Sequence, residues 1–204
     1  MSLRLSSYYI ALLGLLFACS QTNRQLPILG ERSFDKNGDT VYHKVSDFKF
    51  INQDSQRVDN TTFNDMVYVT DFFFTSCPTI CPKVKQQMLR IYERFESEPR
   101  VSLLSHSIDV RYDTVPALHD FAKKIGVKAP KWHFVTGDEF EIFNTAEEYF
   151  VTAKKDPTAP GGFDHSGRLI LIDPNRHVRA FCNGTDAADV DRFMEEIQLL
   201  LNEI

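Results

Sequence analysis

Apolar positions along this chain follow two rhythms in turn. Residues 66–74 form a near-continuous apolar run with Val67, Tyr68 and Val69 at its heart, bounded by Asn64-Asp65 in front and Thr75-Ser76 behind. Such a run has no polar face, which predicts a strand buried on both sides. After Pro82 the rhythm changes: Val84, Met88, Ile91 and Phe95 recur at spacings of four, three and four, one face of an amphipathic helix that Glu98-Pro99 closes. Residues 101–108 give a second strand. Leu118, Phe121, Ala122 and Ile125 give a second helical face that stops at Gly126.

The alternation then continues with shorter units. Residues 132–135 predict a short strand before the turn Thr136-Gly137-Asp138, and residues 140–152 a further helix. Residues 154–162, with Pro157, Pro160, Gly161 and Gly162, read as a loop. Residues 168–173 and 177–182 flank Pro174-Asn175-Arg176 as a β-hairpin. A closing helix places Val190, Phe193, Met194, Ile197, Leu201 and Ile204 on one face, with acidic residues at 186–191 suited to its N-terminal dipole. Ahead of all this, residues 40–45, 48–51 and 57–58 predict a small hairpin preceding the main sheet. The sum is an α/β fold: a central mixed sheet flanked by helices, with an N-terminal β-hairpin extension.

Length and composition allow one core and give no sign of a second domain: 204 residues, 43% of them hydrophobic. The first residues stand apart. Arg4 is the only charge before an apolar stretch over 8–18, which ends in Leu16-Phe17-Ala18-Cys19. That stretch is short of the roughly 20 residues of a membrane span and matches the apolar region of a signal peptide. It resembles a bacterial lipoprotein signal, which implies removal of residues 1–18, lipid on Cys19, a tether over 19–32 and a domain over 33–204. An uncleaved anchor with an incidental Cys19 is the alternative. Either arrangement places the body in the cell envelope, held at a membrane and facing the periplasm or another extracytoplasmic space. The net charge of −5 grows more negative when Arg4 is removed, so nothing favours nucleic acid as a partner.

Three cysteines remain, and Cys77-Pro78-Thr79-Ile80-Cys81-Pro82 places two of them between the first long strand and its helix. Two thiols at that junction make the predicted fold thioredoxin-like and point to redox or soft-metal chemistry. Pro82 is favoured in the first helical position and restricts the residue before it, so Cys81 is expected at the helix cap, where backbone N–H groups favour the thiolate. In a continuous helix, residues four apart have Cβ atoms about 5–6 Å apart, too far for a disulfide. Pro78 and Pro82 instead predict a bent loop able to hold either a disulfide or a chelated ion. A purely stabilising disulfide is the plainer alternative. Cys182 is expected to be a buried core residue or a transient partner of Cys77 or Cys81. Asp71, an acid within the apolar strand six residues before Cys77, resembles the buried Asp of thioredoxins, a resemblance that implies a proton relay to the dithiol; pairing with a basic group or reaching the sheet edge is the plainer alternative.

The segment from Phe72 to Pro82 resembles the signature of the SCO/SenC family, copper proteins associated with assembly of cytochrome c oxidase. The resemblance extends in order through Ile108-Asp109, Arg111 and Asp113-Thr114, then Trp132-His133-Phe134 with Thr136-Gly137, then Asp164-His165-Ser166 and Leu171-Ile172-Asp173-Pro174. It implies a thioredoxin-like fold and copper ligation by Cys77, Cys81 and His165. Two thiolates and one imidazole suit Cu(I), while Cu(II) takes the same set with an added oxygen; ligand type alone does not exclude zinc. Asp164 is a candidate to orient a ligand. His43, His106, His119, His133 and His177 match no ligand motif and read as core or surface residues. The resemblance implies a copper metallochaperone with a cytochrome c oxidase subunit as client. A membrane-anchored thiol–disulfide oxidoreductase, served by a thiol reductant partner and using Cys77 and Cys81 with Asp71, is the alternative, as is a redox or copper sensor.

Overall fold

The structure is a computed structural model that describes residues 25–204; the expected signal segment and Cys19 lie outside them. Two short hairpins come first. β1 (Arg32–Phe34) pairs with β2 (Thr40–Tyr42) alone, whereas β3 (Lys49–Asn52) and β4 (Arg57–Asp59) join the main sheet. The first hairpin is the expected N-terminal extension, while the second is an edge of the main sheet.

The apolar runs become the centre. β5 (Val67–Phe73) is buried at every residue, is followed by α1 (Cys81–Arg94), and returns as β6 (Val101–Ser107), equally buried and parallel to β5. Parallel neighbours need a crossover, and α1 supplies it. α2 (Val115–Ile125) ends on Gly126, whose φ of 78° is the left-handed cap conformation that glycine adopts without a Cβ penalty. β7 (Trp132–Thr136) follows, parallel to β6 and antiparallel to β3.

α3 (Glu139–Glu148) starts on Asp138, which accepts the Glu141 amide at 3.1 Å. It stops short of the expected end at 152 because the chain turns out of the helix at Phe150, whose φ is 57°. The expected loop over 154–162 is also more regular than its prolines and glycines suggest. β8 (Ala153–Lys155) pairs with β9 (Phe163–His165) across a short 3-10 turn at Pro160–Gly162. β10 (Arg168–Ile172) and β11 (Val178–Asn183) form the expected hairpin, and α4 (Ala187–Leu201) closes the fold.

The seven-stranded sheet has the order β11-β10-β5-β6-β7-β3-β4, mixed in direction and flanked by helices. α4 turns Val190, Phe193, Met194, Ile197, Leu200 and Leu201 inward, while Ile204 lies past the helix and is 49% exposed, contrary to the periodic reading. Among the described residues no helix is long and apolar enough to cross a membrane.

Part of the expected tether lies on the body. Leu26 is buried, and its carbonyl and that of Pro27 accept from Arg179 at 2.6 and 3.1 Å. The same guanidinium pairs with Asp173 and Glu203, and Glu203 in turn accepts the Leu26 amide at 2.6 Å. Leu29 adds a backbone bond to Val178. Val178 is level with Ile172, which faces Tyr68 near the start of β5. This strap therefore lies at the end of the sheet opposite the one where β5 runs into the dithiol loop.

Candidate metal centre

The loop between β5 and α1 is fastened from β6 and the turn after it. Asp113 is buried, and its carboxylate accepts the Thr75 amide at 3.0 Å, the Ser107 hydroxyl at 2.6 Å and the Thr75 hydroxyl. The Cys77 amide closes a turn onto the Phe74 carbonyl at 3.2 Å. Cys81 is the first residue of α1, with Ile80 as its cap and Pro82 in the first turn. Cys81 is thus one position further into the helix than expected.

His165 arrives from the other side at the end of β9. Its Nε2 lies 3.4 Å from Cys81 Sγ, and its ring meets Phe74 edge-on. Gly161 makes this approach possible. Its φ is +80°, and a Cβ there would fall 2.6 Å from the Phe74 ring, so the β8–β9 turn closes down on Phe74 only because the residue is glycine.

The outcome is a cluster in which one donor atom each from Cys77, Cys81 and His165 lies within 4.8 Å of the others. Metal–donor bonds of about 2.0–2.3 Å place the corners of a trigonal ion about 3.5–4 Å apart, so a small contraction suffices to close the set on one ion. The cysteines are free thiols and both are buried. His165 Nδ1 is buried without a hydrogen-bond partner. Nε2 is therefore the nitrogen presented to the sulfurs.

The two thiols differ in the reverse of the expected sense. Burial opposes ionisation of Cys77, but hydrogen bonds from the Thr79 and Cys81 amides, the Cys81 thiol and His165 outweigh it and bring the group down to about 6. At Cys81 burial dominates, the Cys77 sulfur adds to it, and the thiol is pushed well up. The helix-start amides thus act on the cysteine that precedes the helix. The one backbone bond to the Cys81 sulfur, from Phe74, does not offset its burial.

Other expected residues sort by position. Asp71 is buried and takes two bonds from Lys85, at 2.8 and 2.9 Å, and one from Ser105 at 2.6 Å. Of the roles expected for it, pairing with a basic group is the one the geometry holds; the three bonds to its carboxylate come from two donors, Lys85 and Ser105, neither of them a thiol. Asp164 points away from the cluster, is half exposed and faces Lys154 at 3.7 Å, so it does not orient His165. Cys182 is buried on β11 and is not a member of the cluster. His106 stacks on Phe72, and His133 meets Asn52 at 3.1 Å. His43 bonds the Glu148 carbonyl, and His119 and His177 face Asp54 and Asp173. All five are core or surface residues.

Two residues were not singled out from the sequence. Asp113 appeared only as part of a motif, and its anchoring role depends on a fold that brings β6 beside the loop. Lys85 looks like one more polar position on a helix; its signal is the spacing of four from Cys81, which puts both on the inward face.

A sheet with a dithiol loop at the start of its first crossover helix, closed by a distal histidine, defines a thioredoxin-like protein carrying a soft-metal or redox centre. The SCO1/SenC family model matches residues 37–202, and the chain belongs to that family. The SCO1 protein homolog of Bacillus subtilis is 28% identical over 162 residues, which cover 78% of this chain and 84% of that protein. Among solved structures, BsSco, a member of the Sco family of cytochrome c oxidase assembly proteins in which a disulfide switch was identified, superposes with a TM-score of 0.67 at 28% identity, covering 76% of this chain and 92% of that one. Arabidopsis thaliana ScoI with copper bound superposes with a TM-score of 0.65 at 25% identity, covering 78% and 98%.

Proposed function

We propose that this protein is a copper carrier of the cell envelope that binds copper through Cys77, Cys81 and His165 and hands it to a cytochrome c oxidase subunit. The convergence of these three donors within 4.8 Å carries the reading. Copper is the cargo, and two sulfurs with one imidazole nitrogen form a soft set suited to it. The copper-bound Arabidopsis relative and the oxidase-assembly role of the Sco family in which BsSco is placed support both halves of the reading. The lipoprotein-like end of the signal segment supports attachment to the membrane through Cys19. An anaerobic Cu(I) titration of the reduced protein, wild type beside His165→Ala, tests the site. One copper per chain is expected, held at least tenfold more weakly in the variant; equal stoichiometry and affinity would remove His165 from the site.

A second reading rests on the unequal thiols. A cysteine that ionises near 6 beside a buried partner is the arrangement of a dithiol that attacks disulfides. Disulfide exchange with client cysteines, with a thiol reductant restoring Cys77 and Cys81, uses the same loop in a different oxidation state. A sensor of copper or redox state would use it too, through a partner protein.

A further inference from the structure

Lys85 is out of place unless the charge above it matters. Among the described residues it is the only lysine that is buried, with 6% of its surface exposed. Its ammonium has three protons and finds three acceptors: Asp71 Oδ1 at 2.9 Å, Asp71 Oδ2 at 2.8 Å and Ser105 Oγ at 2.7 Å. Ser105 is itself fixed by Trp132 Nε1 at 2.9 Å, and the ammonium sits 3.9 Å over the Phe73 ring. Burying such a pair costs desolvation that well-packed apolar residues of the same volume would avoid, so it calls for an explanation beyond stability. Its location supplies one. Lys85 is one turn after Cys81 on α1 and lines the same cleft as Cys77 and Cys81, whereas Asp71 is set back in β5. The positive end of the pair is the end presented to the sulfurs.

Formal charge decides what that does. Two thiolates and a neutral imidazole give a site of net −1 with Cu(I) and net zero with Cu(II). A fixed cation lowers the energy of the anionic state more than that of the neutral one. The geometry points to Lys85, held in place by Asp71 and Ser105, as a positioning residue that biases the Cys77, Cys81 and His165 site towards cuprous copper. The inference rests on the proposed copper site and adds to it the oxidation state that the site prefers. Reduction adds one electron to Cu(II) and leaves both sulfurs ligated, so no proton or leaving group is involved.

The test is a mediated potentiometric titration of the copper-loaded protein, following the Cu(II) signal by electron paramagnetic resonance. Wild type is compared with Lys85→Met, with Asp71→Asn and with the double variant Lys85→Met/Asp71→Leu. The double variant replaces the ion pair by apolar side chains and guards against misfolding caused by one orphaned charge. Asp71 cancels much of the field of Lys85, so the expected loss on removing the ammonium is about tenfold in the Cu(I)/Cu(II) ratio at a given potential, or about 59 mV downward for one electron. Asp71→Asn is expected to move the midpoint upward, because it leaves the cation uncompensated. Opposite signs in the two single variants are the signature, since loosened packing would shift both alike. Folded, stoichiometrically loaded variants with the wild-type midpoint, or with shifts of the same sign, would overturn the inference and leave the copper site intact. Failure of the wild type to hold one copper per chain would instead overturn the site, and the inference with it.

Discussion

Replacing Asp113 by Ala removes a buried carboxylate that ties the dithiol loop to β6. Three hydrogen bonds end on its carboxylate, from the Thr75 amide, the Thr75 hydroxyl and the Ser107 hydroxyl. Bonds to a charged group contribute about 1.5–3 kcal/mol each, and bonds that share one acceptor do not add fully. A total near 3–4 kcal/mol follows. For a domain of this size about 1 kcal/mol shifts the unfolding midpoint by 2–4 °C, so Asp113→Ala is expected to unfold about 6–15 °C lower. Ser107→Ala, which loses one donor to that carboxylate and the acceptor of the Asp109 amide, is expected to cost about 2 kcal/mol. The two variants differ more sharply in metal binding. Thr75 precedes Cys77 by two residues, and freeing that stretch means fixing one or two residues again when an ion binds, at about 1–2 kcal/mol each. Cu(I) affinity in Asp113→Ala is therefore expected to fall about tenfold or more, while Ser107→Ala stays near wild type. Calorimetric unfolding and competition with a chromogenic Cu(I) chelator measure both. An Asp113→Ala protein that matched wild type in midpoint and affinity would refute the anchoring argument.

Alkylation of the reduced, metal-free protein with iodoacetamide near pH 7, followed by peptide mapping, is expected to label Cys77 first, with a rate that falls as pH drops through about 6, while Cys81 reacts slowly because its thiol is held up by burial. Faster labelling of Cys81 would reverse the assignment. The sign of the stability effect follows: the lowered group at Cys77 stabilises the fold fully above its unfolded value of about 9 and loses that contribution as pH falls towards 6, whereas the raised group at Cys81 contributes below 9 and loses it above. Gly161→Val is expected to weaken Cu(I) binding more than it lowers the unfolding midpoint, because the β8–β9 turn would have to lift off Phe74 and carry His165 with it; unchanged affinity would count against that coupling. Arg179→Ala is expected to expose the backbone around Leu26 to hydrogen exchange and proteolysis without altering copper affinity, and retained protection there would show that the strap does not depend on the guanidinium.

What could be read in advance follows from how local each signal is. β5, β6 and α4 were visible because burial on both faces or on one helical stripe leaves a pattern within a single stretch of chain. The β8–β9 hairpin was not, because its strands of three residues each are held by pairing with one another and show no apolar alternation. At the site, the spacing of Cys77 and Cys81 was legible, but His165 entered only through the family resemblance, since nothing near it in sequence marks a ligand. The ionisation of the two thiols turns on a single residue of helix position: with the helix starting at Cys81, the Thr79 and Cys81 amides face Cys77, a placement that Pro82 alone does not reveal. Lys85 and Asp71 lie fourteen residues apart on different elements, and only the packing of α1 on β5 makes them partners.

The strap at Leu26 bears on geometry at the bilayer. Leu26 is seven residues along the chain from Cys19, with six between them, a reach of at most about 25 Å even when fully extended. A protein leashed through Cys19 would thus be tied close to the lipid by the pole of the sheet that carries Arg179 and Glu203, with the dithiol on the opposite, outward pole. Such a molecule cannot search far into the compartment. If it carries copper as proposed, it would present the ion at a fixed height, roughly one domain above the headgroups, to recipients whose own sites stand at that height in the same membrane.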